Sequence, residues 1–207
     1  TTVRFGGVSA TSYTVVSPTQ ISAFPGSGAS GNVSVTTLGG TALTSGFTFI
    51  YPPTITNFTP MSAASGGTVT INGTNFSTAT AVSFGGMPAT KYTVLSPTQI
   101  TAVVDNGTSG NVTVTTLGGT TSSGGFSFLA SPTLTSFSPT SATAGTIVTL
   151  WGSNFQNVTG VFFGGIPATH FTIVSSSQIT AVVGIAANGN VTVITDGGIA
   201  TQKGFTF

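Results

Sequence analysis

Few side chains in this sequence could perform acid–base or metal chemistry. The 207 residues contain one histidine, His170, and two carboxylates, Asp105 and Asp196, with no glutamate and no cysteine. A general base needs an orienting partner and a nucleophile, a Ca²⁺ site needs about six to eight oxygen ligands, and glycoside hydrolysis needs a carboxylate pair. We therefore predict a protein that is not an enzyme, with no catalytic residue, no metal site and no cofactor.

A glycine pattern at residues 26–31 matches the dinucleotide-binding fingerprint. That fingerprint works only between a strand and the N-terminus of a helix. No part of the sequence has helical periodicity, so the pattern predicts a turn between strands.

The asparagines offer a different chemistry, covalent modification. Eight of the ten begin an Asn-x-Ser/Thr sequon in which x is not proline, the acceptor sequence for N-glycosylation. Asn followed by Val-Thr is also an ordinary start of a sandwich strand, so the pattern has two interpretations. Serine and threonine add acceptors for O-linked sugar. The candidate N-glycosylation sites are Asn32, Asn57, Asn72, Asn75, Asn106, Asn111, Asn157 and Asn190.

The sequence motifs repeat every 79 residues, so the secondary-structure elements that position these residues should repeat at the same spacing. Phe-Gly-Gly begins at Phe5, Phe84 and Phe163, and the rest of the pattern keeps the same spacing. Solenoid units are usually about 20–50 residues long, so this period indicates tandem copies of a small domain. We predict domains at residues 1–50, 51–129 and 130–207. The positions with structural roles in turns and joins are Gly6, Gly7, Gly85, Gly86, Gly164, Gly165, Pro53 and Pro132.

Each copy is predicted to be a β-sandwich. Short runs rich in Val, Ile, Thr and Phe alternate with turn residues, as in immunoglobulin-like folds. In the middle copy we expect seven strands, at residues 54–58, 68–72, 81–84, 91–95, 99–103, 111–115 and 125–128. Proline at the joins should stiffen the connections, and the domains should be arranged as a rod.

The first copy lacks the segment that corresponds to its first two strands, because Thr1 aligns with Thr80. A sandwich without these strands would expose its core and an unpaired strand edge. Either the segment lies upstream in a longer chain, or strands arrive from another subunit by β-strand addition. We favour the first, because no spare strand pair follows Phe207.

The aromatic residues are expected to pack in the core. Trp151 is assigned to the strand position of Ile71, so its side chain is expected to point inward. Phe76 and Phe155 each follow an asparagine in the same motif. A stacking platform for sugars would require such rings on the outside.

Charged residues make up 2% of the chain, three basic and two acidic. Nucleic-acid binders cluster Lys and Arg on one surface, and a membrane-spanning helix needs about 18 or more apolar residues in a run. We therefore expect neither a nucleic-acid partner nor membrane insertion in this segment.

The motifs resemble the IPT/TIG immunoglobulin-like family. The resemblance rests on residues 132–139, which read P-T-L-T-S-F-S-P, on W-G-S-N-F at 151–155 and on V-F-F-G-G at 161–165, with parallel motifs in the middle copy. It covers the whole chain. It implies an all-β fold of tandem early-set immunoglobulin-like sandwiches, of a type found in bacterial surface proteins, animal receptors, some transcription factors and starch-acting enzymes.

Two functions follow as hypotheses. The first is a structural protein, a segment of an extracellular or cell-surface filament or stalk that self-associates and is coated with covalent glycans. The second is a carbohydrate-binding or adhesive module of a larger surface protein or enzyme. Exposed aromatics on one face would favour the second, and axial subunit contacts or a glycan coat would favour the first.

Overall fold

The computed structural model describes all residues from Thr1 to Phe207 and is built almost entirely of β-strands. The side-chain alternation explains why. In the strand Gly110–Thr116, Val112 and Val114 are fully buried, whereas Asn111 and Thr113 point to the other face. A period of two residues places alternate side chains on opposite faces of a strand. The predicted all-β fold is confirmed.

The chain forms two compact units, Thr1–Tyr51 and Pro52–Phe207. The first unit contains a four-stranded sheet in the order β2-β1-β5-β6 and a separate hairpin of β3 and β4. Its strands are β1 (Thr2–Phe5), β2 (Val8–Ser9), β3 (Ser12–Ser17), β4 (Gln20–Phe24), β5 (Gly31–Thr37) and β6 (Gly40–Phe47).

The second unit begins with a complete sandwich, which we call the middle domain. One sheet has the order β11-β10-β14-β15-β8 and the other β12-β13-β9-β7. A 3₁₀ turn, Phe76–Thr78, follows β9. The strands are β7 (Thr54–Thr59), β8 (Ser62–Ala63), β9 (Thr68–Thr74), β10 (Ala79–Phe84), β11 (Met87–Pro88), β12 (Lys91–Ser96), β13 (Gln99–Val103), β14 (Gly110–Thr116) and β15 (Gly119–Phe128).

The C-terminal domain repeats this architecture. Its sheets have the orders β16-β17-β21-β20 and β19-β18-β22-β23. Each of the two complete domains has a separate buried core between its sheets. The strands are β16 (Thr133–Ser138), β17 (Ile147–Ser153), β18 (Val158–Phe163), β19 (Ile166–Pro167), β20 (His170–Ser175), β21 (Gln178–Val182), β22 (Gly189–Thr195) and β23 (Gly198–Phe205).

The seven strands expected in the middle domain are all present, with one large difference in length. The last strand begins at Gly119, not at residue 125. The sequence predicted this strand at residues 125–128, but it runs through Gly124 and Gly125, and Gly125 takes a φ of 96°. The pairing of β14 with β15 shifts register opposite this point, as in a β-bulge, where glycine is often found.

The Phe-Gly-Gly turns have nearly the same geometry in all three copies. The first glycine has φ between 56° and 58°, and the second between 84° and 86°. This left-handed conformation is unfavourable for residues with a Cβ atom. At Gly85 a Cβ would also lie 1.9 Å from the carbonyl oxygen of Thr108, so the turn needs glycine for two reasons. The positions are Gly6, Gly7, Gly85, Gly86, Gly164 and Gly165.

The joins before the two complete domains are tied to the domain that follows. Pro53 and Pro132 are buried. Asn75 Nδ2 donates a hydrogen bond to the carbonyl oxygen of Pro52 at 2.8 Å. The equivalent Asn154 Nδ2 donates to the carbonyl oxygen of Ser131 at 2.9 Å. Each connecting segment is therefore fixed against its own downstream domain.

Candidate functional site

Trp151 lies on the outside of the C-terminal domain, with 39% of its surface exposed. The expectation that it packs inward was wrong. The 79-residue spacing pairs Trp151 with Asn72, and the residue that corresponds to Ile71 is Leu150. Leu150 is fully buried. A shift of one position along a strand moves a side chain to the opposite face, which accounts for the error.

The neighbouring phenylalanines behave differently. Phe76 and Phe155 have no exposed surface and belong to the cores of their domains. Their expected core packing is confirmed. The W-G-S-N-F motif therefore contributes one aromatic ring to the interior and one to the surface.

The exposed ring sits on the outer face of the sheet β16-β17-β21-β20. On the neighbouring strands Ser136 and Gln178 lie opposite Trp151. Two residues along β17, Thr149 is flanked by Ser138 and Thr180 in the same way. We call Ser136, Ser138, Thr149, Trp151, Gln178 and Thr180 the tryptophan face.

The backbone beneath the ring is held in place. Thr135 Oγ1 donates a hydrogen bond to the carbonyl oxygen of Trp151 at 2.9 Å, at a point where the register between β16 and β17 shifts. None of the five charged residues belongs to this sheet. The face thus combines a flat aromatic ring with neutral hydroxyl and amide groups.

This combination can hold a neutral sugar. An indole ring offers a flat apolar surface and an N–H donor at its edge. The C–H groups of a pyranose can stack on the ring while the hydroxyl and amide side chains around it exchange hydrogen bonds with the sugar hydroxyls. The sheet has no Arg, Lys, Asp or Glu, and the edge strand β20 adds one imidazole, His170. It therefore offers few groups that would attract a phosphorylated or acidic ligand.

The middle domain has a different row of side chains at the same position. Asn72 Nδ2 donates to Asn57 Oδ1 at 2.8 Å, and Gln99 Nε2 donates to Asn72 Oδ1 at 3.0 Å. These three residues form an amide ladder across β7, β9 and β13. Their amides bond mainly to one another, and no aromatic ring stands on this face of the sheet.

The eight sequon asparagines fall into distinct environments. Asn57 and Asn72 belong to the amide ladder, and Asn75 bonds to the join. Asn75 and Asn157 have positive φ values of 61° and 51°. The others are exposed without such side-chain bonds on a strand or a loop: Asn32, Asn106, Asn111 and Asn190.

The structure does not bring the titratable residues together. His170 is exposed on the edge strand β20, with Nε2 3.3 Å from Thr172 Oγ1. Asp105 is exposed in the middle domain and its Oδ1 accepts a hydrogen bond from the backbone N–H of Asn106 at 2.7 Å. Asp196 lies in the turn between β22 and β23. No group of three or more His, Cys, Asp or Glu residues is placed to share a metal ion.

No helix in the structure is long and apolar enough to cross a membrane. The residues 26–31, which match the dinucleotide fingerprint, lie in the connection between β4 and β5. As the sequence predicted, this segment joins two strands and does not lead into a helix.

The fold defines a class of protein, tandem immunoglobulin-like β-sandwich domains. The model of the IPT/TIG domain family matches residues 53–129 and 132–207. The chain therefore belongs to the IPT/TIG family, and the resemblance noted in its sequence is confirmed. A comparison with curated proteins finds no match.

Several solved structures are similar to this chain. One is SGBP-B from a complex xyloglucan utilization locus in Bacteroides uniformis, with 21% identity over 74% of this chain and 49% of that chain, at a TM-score of 0.38. Another is the Bacteroides ovatus mixed-linkage glucan utilization locus SGBP-B in complex with a mixed-linkage heptasaccharide, with 20% identity over 98% and 59% of the two chains and a TM-score of 0.31.

The full extracellular region of plexin A4 is also similar, with 24% identity over 74% of this chain and 18% of that chain, at a TM-score of 0.38. The chain spans about half the length of the SGBP-B proteins that it matches. At these identities the likeness concerns the fold.

Proposed function

We propose that this chain is a non-catalytic carbohydrate-binding module that works at a cell surface or outside the cell, and that the tryptophan face binds a neutral glycan. The observation that carries the proposal is the outward position of Trp151 among uncharged hydroxyl and amide side chains. An exposed tryptophan can stack its apolar ring on a ligand while its N–H donates a hydrogen bond.

The geometry suits an extended polysaccharide chain better than a single enclosed sugar. The tryptophan face is part of an open sheet and not a deep pocket. A glycan chain can lie across the strands, with one residue stacked on Trp151 and its neighbours within reach of Gln178 and Thr180. Affinity for one short oligosaccharide should then be modest, because an open face buries little of the ligand.

The test compares binding to neutral polysaccharides before and after the ring is removed. Affinity electrophoresis of the full chain through gels containing xyloglucan, mixed-linkage β-glucan or starch gives a retardation for each glycan. We expect at least one glycan to retard the wild type. Trp151→Asn should abolish this retardation because it removes the ring. Asparagine is chosen as the replacement because it is the residue at the same position of the middle domain.

A gain-of-function variant gives the matched control. Asn72→Trp places a tryptophan on the middle domain beside Gln99, as Trp151 lies beside Gln178. In the Trp151→Asn background it should restore part of the retardation. If Trp151→Asn binds as well as wild type to every glycan that the wild type binds, the proposal is wrong.

A second candidate is the filament or stalk of the structural hypothesis. The bonded joins favour it, because Asn75 and Asn154 each fix the connecting segment against the domain that follows. A connecting segment held against one domain is shorter than an unbound linker, which suits a spacer. Covalent glycans on exposed sequons would keep so weakly charged a surface in solution, and self-association would build the filament.

Electron microscopy and mass spectrometry of the native material test this candidate. Filaments whose axial repeat is a whole number of domains, with extra mass on sequon peptides, would support it. Isolated particles at all protein concentrations, without added mass, would exclude both assembly and the glycan coat.

A further inference from the structure

Three Asn-Gly pairs occur in the chain, at residues 72–73, 106–107 and 188–189. Asparagine is among the thermally labile residues of proteins. When glycine follows it, no Cβ shields the main-chain nitrogen of the glycine, and the backbone there turns easily. That nitrogen can attack the asparagine side chain and release its amide as ammonia. The fold places the three pairs in different surroundings, so it decides which of them can react.

The first pair is held at both reacting groups. Asn72 lies in β9, and its side-chain amide belongs to the amide ladder, as donor to Asn57 and as acceptor from Gln99. The attacking group is also engaged, because the Gly73 N–H donates a hydrogen bond to the carbonyl oxygen of Thr98 at 2.9 Å. Reaction here requires these bonds to break.

The third pair is held through its side chain. Asn188 Oδ1 accepts a hydrogen bond from the main-chain N–H of Phe207 at 2.7 Å. Gly189 is the first residue of β22, where it lies opposite Phe205. The side chain must leave Phe207 before the Gly189 nitrogen can attack it.

The second pair has no such restraint. Asn106 and Gly107 lie in the connection between β13 and β14, and Asn106 is exposed. The side-chain amide of Asn106 makes no hydrogen bond, and neither does the Gly107 N–H. Only the main-chain N–H of Asn106 is engaged, as donor to Asp105 Oδ1 at 2.7 Å. Groups that can meet without first breaking other bonds react faster.

We propose that the fold makes Asn106, alone among the three, a self-modification site, which converts to aspartate and isoaspartate with water as the co-reactant. The Gly107 nitrogen bonds to Asn106 Cγ and gives its proton to solvent, while the Cγ–Nδ2 bond breaks and Nδ2 leaves as ammonia. Water then opens the cyclic succinimide. Attack at Cγ gives aspartate, and attack at the main-chain carbonyl carbon gives isoaspartate.

The product changes the charge of a chain that has little. The formal net charge is +1, from three basic and two acidic side chains, and one new carboxylate brings it to zero. A net charge near zero promotes association. The modified residue also lies two positions before Thr108, whose Oγ1 donates to the carbonyl oxygen of Gly85 at 3.0 Å. Isoaspartate lengthens the main chain by one carbon and therefore alters a loop that contacts the Phe-Gly-Gly turn.

The test follows the three pairs in the folded full chain at mildly alkaline pH. The chain is produced without glycosylation, because a sugar on Asn106 Nδ2 would occupy the leaving group. Pepsin digestion in acid followed by mass spectrometry gives the converted fraction at each asparagine. We expect Asn106 to convert about tenfold or more faster than Asn72 and Asn188, a difference of about 1.4 kcal/mol in activation free energy. Isoelectric focusing of the intact chain should show a more acidic species that grows at the same rate.

Two controls separate the local chemistry from the fold. Gly107→Ala shields the attacking nitrogen, and the site tolerates it, because the nearest atom to the new Cβ would be Met87 Cβ at 3.6 Å and Gly107 has no positive φ. The variant should unfold at the same temperature as the wild type and lose most of the reaction at Asn106. In urea the three pairs should react at similar rates, because unfolding removes the hydrogen bonds that restrain Asn72 and Asn188.

Three results would overturn the proposal, which does not depend on glycan binding by the tryptophan face. One is a folded chain that converts Asn106 no faster than Asn72. Another is a folded Gly107→Ala variant that converts Asn106 as fast as the wild type. The third is a preference for Asn106 of the same size in urea, because the preference would then come from the local sequence and not from the fold.

Discussion

One kind of substitution, made at three isoleucines 79 residues apart, tests how tightly the core of each copy is packed. Ile21, Ile100 and Ile179 occupy the same strand position in the three copies. Ile100 and Ile179 have no exposed surface, whereas Ile21 is half-buried in a groove of the first unit that Val15 and Val35 also line. Replacing each by alanine removes the same atoms from two closed cores and one open one.

The expected costs differ because the surroundings differ. Replacing a fully buried isoleucine by alanine typically costs about 2–5 kcal/mol, of which part comes from the cavity left behind. We expect a loss in this range for Ile100→Ala and Ile179→Ala. A half-buried side chain leaves no closed cavity and loses about half of the transfer free energy, so Ile21→Ala should cost about 1 kcal/mol.

The assay must separate the domains, because a chain of several domains does not unfold in a single two-state step. Trp151 is the only tryptophan, so its fluorescence during urea unfolding reports the C-terminal domain alone. Hydrogen exchange read by mass spectrometry reports all three copies. Ile179→Ala should shift the fluorescence transition, and Ile100→Ala and Ile21→Ala should not.

An equal cost at all three positions would refute the open core of the first unit. A loss below about 1 kcal/mol for Ile179→Ala would refute the close packing of the C-terminal core, because such a loss is too small for a buried isoleucine.

Three further predictions concern the turns, the sequons and the surface. Gly86→Ala should lower the free energy of unfolding by about 1–2 kcal/mol, because its positive φ is unfavourable for alanine. Gly85→Ala should lower it more, because a Cβ there also meets the Thr108 carbonyl oxygen. Thermal unfolding of the two variants measures the difference. Where the chain is made in a glycosylating cell, peptide mass spectrometry should find sugar on Asn111 and none on Asn75, whose amide is bonded to the join. The urea midpoint should change little between about 0.05 and 0.5 M NaCl, since salt screens interactions between charges and the chain has only five charged side chains; a large shift would contradict this.

The strands of the middle domain were predictable because their signal is local. Alternation of Val with Thr or Asn, as in Gly110–Thr116, determines which face each side chain takes. Two-residue strands such as Met87–Pro88 are too short to show a period. The extension of β15 through Gly124 and Gly125 was missed because glycine in a strand is read as a break unless the bulge is known.

The tryptophan face was harder to predict. Periodicity shows that successive residues of β17 alternate between the two faces of the sheet. Which of them face inward was inferred from the alignment of the copies, and an alignment error of one residue assigned Trp151 to the wrong face. Its neighbours Ser136 and Gln178 belong to other strands, 15 and 27 residues away in sequence. Only the strand order and register of the sheet place them beside the ring.

The partial exposure of apolar side chains in the first unit was expected. The missing counterpart of residues 53–79 implied an exposed core, and the half-buried Ile21 and Val35 agree with that expectation. The alignment alone did not show that β4 keeps its hairpin with β3.

The most direct test of glycan binding is the indole N–H signal of Trp151 in a ¹H–¹⁵N NMR spectrum. The chain has one tryptophan, so this signal is assigned without ambiguity. Titration with oligosaccharides of the polysaccharide that retards the protein should move the signal along a saturable curve, with smaller changes at Gln178 and Thr180. Saturable binding that leaves the indole signal unmoved would contradict the assignment of the site to the tryptophan face.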